Sequence, residues 1–227
     1  MFAMSEAEFA AMRQQMVGEI TLHTVLQTGR LGKAALSRRV MEAMGRVPRH
    51  AFVRDDLQQL AYADTPLPSD CGKTISQPFI VALMTDLLDL QPGERVLEVG
   101  TGWGYQSAVL AELGARVYSV ELIEPLAREA RRRLARLGYA MVEVRIGDGR
   151  AGWPEHAPYD KIIVSAAPDW VPVPLLEQLK PGGRMVIPAG MSELQQLLLI
   201  EKDTAGRLAS RAVLPVRFSM LEEPESG

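Results

Sequence analysis

Glycines at every second position mark the stretch RVLEVGTGWG at 95–104, where Gly100, Gly102 and Gly104 follow a short apolar run. One acidic residue, Glu98, interrupts that run. Because glycine has no Cβ and tolerates positive φ, such a turn lets a ligand approach the backbone closely. A helix that begins directly after the turn also directs its free N–H groups at the ligand. The stretch therefore predicts a buried strand, a ligand-binding turn and a helix.

The spacing of these glycines distinguishes two classes of nucleotide ligand. A dinucleotide fingerprint requires GxGxxG, and counted from Gly100 its last glycine would fall on Tyr105, so the match fails. The GxGxG spacing after an acidic residue favours a loop that wraps an amino-acid moiety and a sulfur and holds no pyrophosphate. S-adenosylmethionine is a ligand of that composition.

Acidic residues after two later predicted strands support the same ligand. Glu121 follows one strand, where a carboxylate can accept both ribose hydroxyls. Asp148, between Gly147 and Gly149, follows the next strand, where a carboxylate or a backbone group can bind an adenine amino group. Strand carboxyl ends form the ligand-binding edge of open α/β sheets. The alternative, that each acid only caps the segment after it, does not explain why both accompany the glycine turn.

A second group of polar residues, TISQP at 74–78, precedes the glycine turn. Ser76 fits a helix N-cap with proline just inside the helix. Its hydroxyl could equally contact a substrate, and the local pattern leaves both roles open. The surrounding stretch at 61–78 is rich in proline and polar residues, which predicts a long loop, and loops of this length are usually functional or disordered. The embedded Leu67 and Ile75 argue against disorder.

Helices are predicted ahead of the glycine turn. The first covers 5–28, where Ser5 and Glu8 have capping-box spacing, and we expect His23 on its surface. The second covers about 33–45, and another helical period follows the loop at 79–90.

Strands and helices alternate from residue 95 onward, which implies a parallel sheet with helices on both faces. The predicted strands are 96–99, 116–120, 142–146, 161–166 and 184–188, and the predicted helices are 107–113, 123–137 and 173–179. A hairpin of 194–201 and 208–218 adds an antiparallel edge. The fold class is α/β: a Rossmann-like, mostly parallel sheet with a C-terminal antiparallel hairpin and an N-terminal helical cap. We expect a single domain, with 1–90 supplying the cap and a substrate loop and 91–227 the cofactor-binding core.

The composition bounds the function. The chain has 227 residues, of which 47% are hydrophobic and 23% charged, an ordinary balance for a soluble globular protein. The net charge of −3 gives no general attraction to nucleic acid. One cysteine and three histidines argue against a disulfide framework and against a metal site. Because neither a signal peptide nor a long apolar run is evident, we expect a cytoplasmic protein without membrane contact.

The chain resembles the protein-L-isoaspartate O-methyltransferases over roughly residues 38–218. The resemblance lies in RVPRHAFV at 46–53, AYADTPLP at 61–68, GKTISQPFIVALMTDLL at 72–88, and in the blocks at 96–113, 118–127, 147–167 and 175–190. The TISQP block is more specific than the glycine motif, which many methyltransferase families share.

The resemblance implies methyl transfer from S-adenosylmethionine to the carboxylate of L-isoaspartyl residues in damaged proteins and peptides, which initiates their repair. A carboxylate of pKa ~3.9 is already ionised at neutral pH, so no general base is required. Catalysis then depends on alignment of the oxygen, methyl carbon and sulfur and on exclusion of water. We expect no metal, no nucleic acid partner and a monomer.

The resemblance also assigns candidate site residues. Ser76 is the candidate catalytic residue, since the serine of this block lies beside the methyl-accepting carboxylate in the family. Candidate substrate-binding residues are Thr74, Ile75, Gln77, Ala166 and Ala167. Candidate cofactor-binding residues are Gly100, Thr101, Gly102, Gly104, Tyr105, Glu121, Leu122, Gly147, Asp148 and Gly149.

Departures from the family pattern leave alternatives for the substrate. Trp103 stands where a smaller residue is common, Asp70 and Cys71 replace a glycine and an aromatic or histidine, and the segment 1–37 is longer than usual and matches poorly. One alternative is a relative that methylates another peptide carboxylate. Another is a protein that binds S-adenosylmethionine without turnover, against which the intact TISQP block argues. The glycine spacing disfavours a nicotinamide dehydrogenase.

Overall fold

The first part of the chain is helical in the computed structural model, which describes residues 4–191 and 193–224. Helix α1 (Glu6–Leu26) begins at the predicted capping box, in which Ser5 Oγ accepts the Glu8 N–H at 3.3 Å and Glu8 Oε2 accepts the Ser5 N–H at 2.7 Å. It ends two residues early, because a separate turn of helix, α2 (Thr28–Leu31), follows and stops at Gly32 in the left-handed region.

The helix predicted from residue 33 begins later than expected. Helix α3 (Arg38–Arg46) has Ser37 as its N-cap, with Ser37 Oγ accepting the Val40 N–H at 3.3 Å. Asp86 Oδ1 accepts the Ser37 N–H at 2.6 Å, a contact from a distant helix that holds this residue outside the turn. Residues 33–37 are therefore not helical.

The 61–78 loop carries a small ribbon that the sequence analysis did not predict. Strand β1 (Leu67–Pro68) pairs antiparallel with β2 (Thr74–Ile75), and the apolar side chains of Leu67 and Ile75 lie opposite each other and are buried. Helix α4 (Pro78–Leu88) follows at once, with proline in its first turn, and ends at Asp89 in the left-handed region.

The rest of the chain builds the predicted α/β sheet. In chain order its elements are β3 (Arg95–Val99), α5 (Tyr105–Glu112), β4 (Arg116–Glu121), α6 (Glu124–Arg136), β5 (Glu143–Ile146), β6 (Tyr159–Val164), α7 (Val173–Gln178), β7 (Leu179–Ala189), β8 (Gln195–Lys202) and β9 (Leu208–Val216). The strand order is β5-β4-β3-β6-β7-β8-β9. Pairing is parallel from β5 to β7 and antiparallel from β7 to β9, which confirms the predicted hairpin edge.

Strand β7 starts five residues before the predicted 184. Its first residue, Leu179, pairs with Tyr159, and the register to β6 then shifts before Arg184 pairs with Lys161. Gly183 lies within this irregularity, where a Cβ would be 2.7 Å from the Lys180 carbonyl oxygen. Residues 180–183, which lie between the predicted helix and the predicted strand, therefore form an irregular part of β7.

Hydrophobic layers cover both faces of the sheet. Val96 and Ile163 pack in the layer that includes α1, α3, α4 and α5, whereas Leu97 and Ile162 pack in the layer that includes Leu175 of α7. Neighbouring residues along β3 and β6 thus point to opposite layers, as the pleat requires. Because the pairing is parallel and in register, the carboxyl ends of β3, β4 and β6 meet at one edge of the sheet.

Candidate active site

A cavity of about 620 Å³ opens at that edge of the sheet. Its volume falls in the range of small-molecule sites, about 300–1,000 Å³. Its wall consists of the end of α1 with α2, the 61–78 loop with the start of α4, residues 99–106, the end of β4 with the start of α6, Gly149, the end of β6, and residues 214–222. The sequence-predicted residues in the wall are Thr74, Ile75, Ser76, Gln77, Gly100, Thr101, Gly102, Tyr105, Glu121, Leu122, Gly149 and Ala166.

The glycine turn, residues 100–104, has the backbone conformation that its glycines permit. Gly100, Gly102 and Gly104 have φ of 88°, 54° and 94°. Gly104 is the N-cap of α5 and lies outside the cavity wall, where a Cβ would be 3.1 Å from Leu134 Cγ. A Cβ on Gly102 would meet no atom within 4 Å, so open space lies beside this part of the backbone. The turn therefore offers the cavity a stretch of bare main chain.

The carboxylate of Glu121 borders the cavity next to the glycine turn. Its Oε2 accepts the Gly102 N–H at 2.8 Å, and its Oε1 accepts the Ile123 N–H at 3.0 Å. Burial raises the pKa of this carboxyl, and the N–H groups that donate to it act in the opposite direction. Glu121 thus connects the end of β4 to the turn and lies in the cavity wall.

A second acid, Glu98, lies under the turn and does not reach the cavity wall. It is fully buried, and its Oε2 accepts hydrogen bonds from Ser107 Oγ and, at 2.7 Å, from Ser119 Oγ. Within the described residues its Oε1 has no partner. Burial raises the pKa of Glu98 to about 7. Glu98, the acidic residue just before the glycines, therefore supports the turn from within the protein and does not line the cavity.

Only one of three neighbouring predicted residues after β5 borders the cavity. Gly149 lies in the wall, and a Cβ there would be 2.3 Å from Val99 Cγ1. Gly147 and Asp148 lie outside it, and Asp148 Oδ1 accepts the Arg150 N–H at 2.9 Å. Asp148 thus caps the short 3₁₀ turn Gly149–Ala151, the alternative considered from the sequence. Contact of Asp148 with an adenine stays a prediction.

Ser76 lies in the wall with a free hydroxyl. The residue is half-buried, and its hydroxyl has no hydrogen-bond partner in the part of the chain that the structure describes. The N-cap of α4 is Gln77, which makes no side-chain cap of its own, so the alternative that Ser76 caps this helix is wrong. The Phe79 N–H, which has no acceptor within the helix, instead donates a hydrogen bond to Asp64 Oδ1 at 2.8 Å.

Small residues at the end of β6 leave room above the glycine turn. Ser165 donates its N–H to the Val99 carbonyl at 2.8 Å, and Ala166 lies in the cavity wall. Ala167 is fully buried and lies outside the wall, because its backbone pairs with Ser219 and Leu221 of the C-terminal segment. That segment is the reason why only one of the two predicted alanines borders the cavity.

Several wall residues were missed by the sequence analysis. His23 keeps a side chain that is 32% exposed, as expected for a helix surface, but its place in the wall beside Gln27 and Arg30 was not predicted. Its ring stacks on that of Phe79, with the centroids 4.0 Å apart. The C-terminal residues 219–222 also line the cavity, where Glu222 pairs with Lys73 of the 61–78 loop. No local pattern marks these residues, since only folding brings both chain ends to this edge.

Within residues 4–191 and 193–224 no group of three or more histidine, cysteine or acidic side chains is placed to hold a metal ion. None of the described helices combines the length and apolar character needed to cross a membrane.

Known proteins resemble this chain over nearly its whole length. The family model of protein-L-isoaspartate(D-aspartate) O-methyltransferase matches residues 22–226. Protein-L-isoaspartate O-methyltransferase 1 of Polaromonas sp. is 59% identical over 224 residues, which cover 99% of this chain and 95% of that protein. Protein-L-isoaspartate O-methyltransferase 1 of Cupriavidus necator is 54% identical, over 92% of this chain and 81% of that protein. These alignments extend into the N-terminal segment, which we expected to match poorly.

Solved structures show the same fold. A protein-L-isoaspartate O-methyltransferase superposes with a TM-score of 0.81 at 30% identity, covering 93% of this chain and 66% of that chain. A Plasmodium falciparum chain described as a beta-aspartate methyltransferase, in complex with S-adenosyl-L-homocysteine, superposes with a TM-score of 0.72 at 23% identity, covering 89% of this chain and 96% of that chain. With the cavity at the carboxyl edge of the sheet and the family match over residues 22–226, the chain belongs to the protein-L-isoaspartate(D-aspartate) O-methyltransferase family.

Proposed function

We propose that this protein is an S-adenosylmethionine-dependent methyltransferase that methylates the carboxylate of L-isoaspartyl residues and so initiates repair of damaged proteins and peptides. The observation that carries the proposal is a single cavity bordered both by the glycine turn with Glu121 and by the free hydroxyl of Ser76. The family to which the chain belongs supports this reaction and this substrate class.

The residues present fit S-adenosylmethionine. Backbone groups at Gly100 and Gly102 lie beside open space, where an amino-acid moiety can approach the main chain. Glu121 lies in the wall, and each of its two oxygens, which already accepts one backbone N–H, keeps a lone pair that can accept a ribose hydroxyl. Thr101, Tyr105, Leu122 and Gly149 complete this side of the wall. When bound, S-adenosylmethionine supplies a methyl group carried on a positively charged sulfur.

The side chains opposite the glycine turn orient the acceptor. A carboxylate is ionised at neutral pH, so this site needs no proton-accepting residue and must instead align one oxygen of the acceptor. The Ser76 hydroxyl donates a hydrogen bond to one oxygen of that carboxylate and leaves the other free to react. Thr74, Ile75 and Gln77 surround this position, and Ala166 is small enough to leave space for a peptide. Apolar wall residues such as Met84 and Phe218 exclude water.

The proposal is tested by Ser76→Ala. The variant loses one hydroxyl that has no structural partner among the described residues, so we expect normal cofactor affinity and a large loss of methyl transfer to an isoaspartyl peptide. The matched control is Ser210→Ala, which removes a hydroxyl from an exposed position on β9. Unchanged turnover of Ser76→Ala would remove Ser76 from the mechanism.

The substrate class is tested with paired peptides that differ only in an isoaspartyl or an aspartyl residue. Incubation with methyl-labelled cofactor is expected to give base-labile label on the isoaspartyl peptide alone. Label on both peptides would favour a methyltransferase for other peptide carboxylates. Cofactor binding without label on either peptide would favour a binding protein.

Isoaspartyl-containing proteins and peptides are the proposed partners, and the part of the chain up to residue 90 is proposed to form the substrate side of the same domain. A monomeric state and a cytoplasmic location stay predictions.

A further inference from the structure

Asp64 lies outside the cavity wall but contacts three residues that form it. Its side chain is 13% exposed. Oδ1 accepts the Phe79 N–H at 2.8 Å, while Oδ2 lies 3.1 Å from Gln77 Nε2 and 2.9 Å from His23 Nδ1. The Asp64 carbonyl accepts the same Gln77 amide at 3.0 Å. One nearly buried carboxylate therefore joins α1, the 61–78 loop and α4.

The first of these contacts determines where α4 begins. Gln77 occupies the N-cap position without a side-chain cap, and Pro78 has no N–H to satisfy. The Phe79 N–H is consequently the first helix donor that needs an acceptor, and Asp64 supplies it from the far end of the loop. A carboxylate at this position also interacts favourably with the helix dipole. The direction of the chain at Ser76, just ahead of the helix, follows from this contact.

The backbone of Ser76 is also held from its other side. Arg49, which is fully buried, donates Nη2 to the Ser76 carbonyl at 2.8 Å and Nε to the Ala61 carbonyl at 2.7 Å. Its guanidinium lies 4.8 Å from the centroid of the Tyr105 ring, next to the glycine turn. Arg49 thus anchors Ser76 toward the cofactor side, and Asp64 anchors the residues that follow.

We propose that Asp64 is a positioning residue for methyl transfer, which acts through Ser76 and Gln77 and makes no contact with the acceptor itself. The inference rests on the proposed function. Its chemical basis is that an ionised carboxylate accepts hydrogen bonds only, and every polar group around this side chain can act as a donor. The contact with His23 gives the N-terminal helix a role in the same arrangement, since that ring also stacks on Phe79.

Two substitutions at this position separate its contacts. Asp64→Ala removes all of them, whereas Asp64→Asn keeps an oxygen for the Phe79 N–H and replaces the second acceptor by a donor that faces Gln77 and His23. The matched control is Asp56→Asn, which makes the same change at an exposed aspartate paired with Arg54. For each variant we would measure kcat and KM with an isoaspartyl peptide, the Kd of S-adenosylmethionine and the Tm.

For Asp64→Ala we expect kcat to fall by about 10- to 100-fold, because small displacements of a positioning group cost rate steeply. Cofactor Kd is expected to stay within about twofold, which separates lost positioning from lost binding. Asp64→Asn is expected to recover part of the lost rate through the retained helix cap, and Asp56→Asn to behave as the wild type.

The inference is overturned if Asp64→Ala keeps the wild-type kcat, or if its cofactor affinity falls as much as its rate. Asp64→Asn keeps the test open should the alanine variant fold poorly, because it retains the cap of α4. A wild-type protein without activity on isoaspartyl peptides would instead overturn the proposed function. An active wild type with an equally active Asp64→Ala would overturn this inference alone.

Discussion

Glu98 makes the stability of the protein depend on pH in a way that one substitution can isolate. Its side chain is fully buried beneath the glycine turn, held by Ser107 and Ser119, and burial raises its pKa from 4.5 to about 7. In the unfolded chain the same carboxyl titrates near its ordinary value. The folded protein therefore binds the proton of Glu98 more tightly than the unfolded chain does.

The direction and size of the pH effect on stability follow from the difference between the pKa of Glu98 in the folded and in the unfolded state. Because protonation favours the folded state, the contribution is fully present below pH 4.5 and is lost as the pH rises through about 7. At 1.36 kcal/mol for each pH unit between the two values, the loss amounts to about 3 kcal/mol. Above pH 7 the ionised carboxylate remains buried, and the contribution changes no further.

Glu98→Gln removes this titration and keeps an oxygen that can accept hydrogen bonds from Ser107 and Ser119. Urea unfolding of both proteins at several pH values between 4.5 and 8.5 gives the difference in the free energy of unfolding. Subtraction cancels the contributions of the other titrating groups. We expect this difference to shift by about 3 kcal/mol in favour of the glutamine variant as the pH rises.

The matched control is Glu177→Gln, which makes the same change at an exposed position on α7. If the Glu98→Gln curve runs parallel to that of the wild type over this pH range, the buried carboxyl does not titrate differently in the two states and the raised pKa of Glu98 is refuted.

Further predictions concern the cofactor side of the cavity. Glu121→Gln replaces one acceptor by a donor, which then faces either the Gly102 N–H or the ligand. We therefore expect the Kd of S-adenosylmethionine to rise by about 10-fold or more. An unchanged Kd in calorimetry would contradict the assignment of Glu121 to cofactor binding. Gly149→Ala places a Cβ against the buried Val99 and should lower the free energy of unfolding by about 1–3 kcal/mol. Gly18→Ala within α1, where a Cβ meets no atom within 4 Å, is its control and should raise stability by about 0.5–1 kcal/mol. Thermal unfolding of both variants checks this pair, and equal losses would show that the space around the glycine does not matter.

The features predicted well from the sequence depend on a few consecutive residues. The capping box of α1 needs only Ser5 and Glu8, and the glycine turn needs only alternate residues that tolerate positive φ. The alternation of strands and helices likewise follows from local periodicity. The start of α3 was predicted wrongly because Asp86, far along the chain, accepts the Ser37 N–H and holds residues 33–37 out of the helix.

In the candidate site, too, local features could be predicted from the sequence and long-range contacts could not. The kind of turn at 100–104, the acid at Glu121 and the polar block that holds Ser76 could be predicted from the sequence, since these are residue types at short spacings. That Asp64 caps α4, that Glu98 is buried and that His23 reaches the cavity depends on tertiary packing. Burial and the pairing of polar groups depend on which distant segments pack together, and no local pattern carries that information.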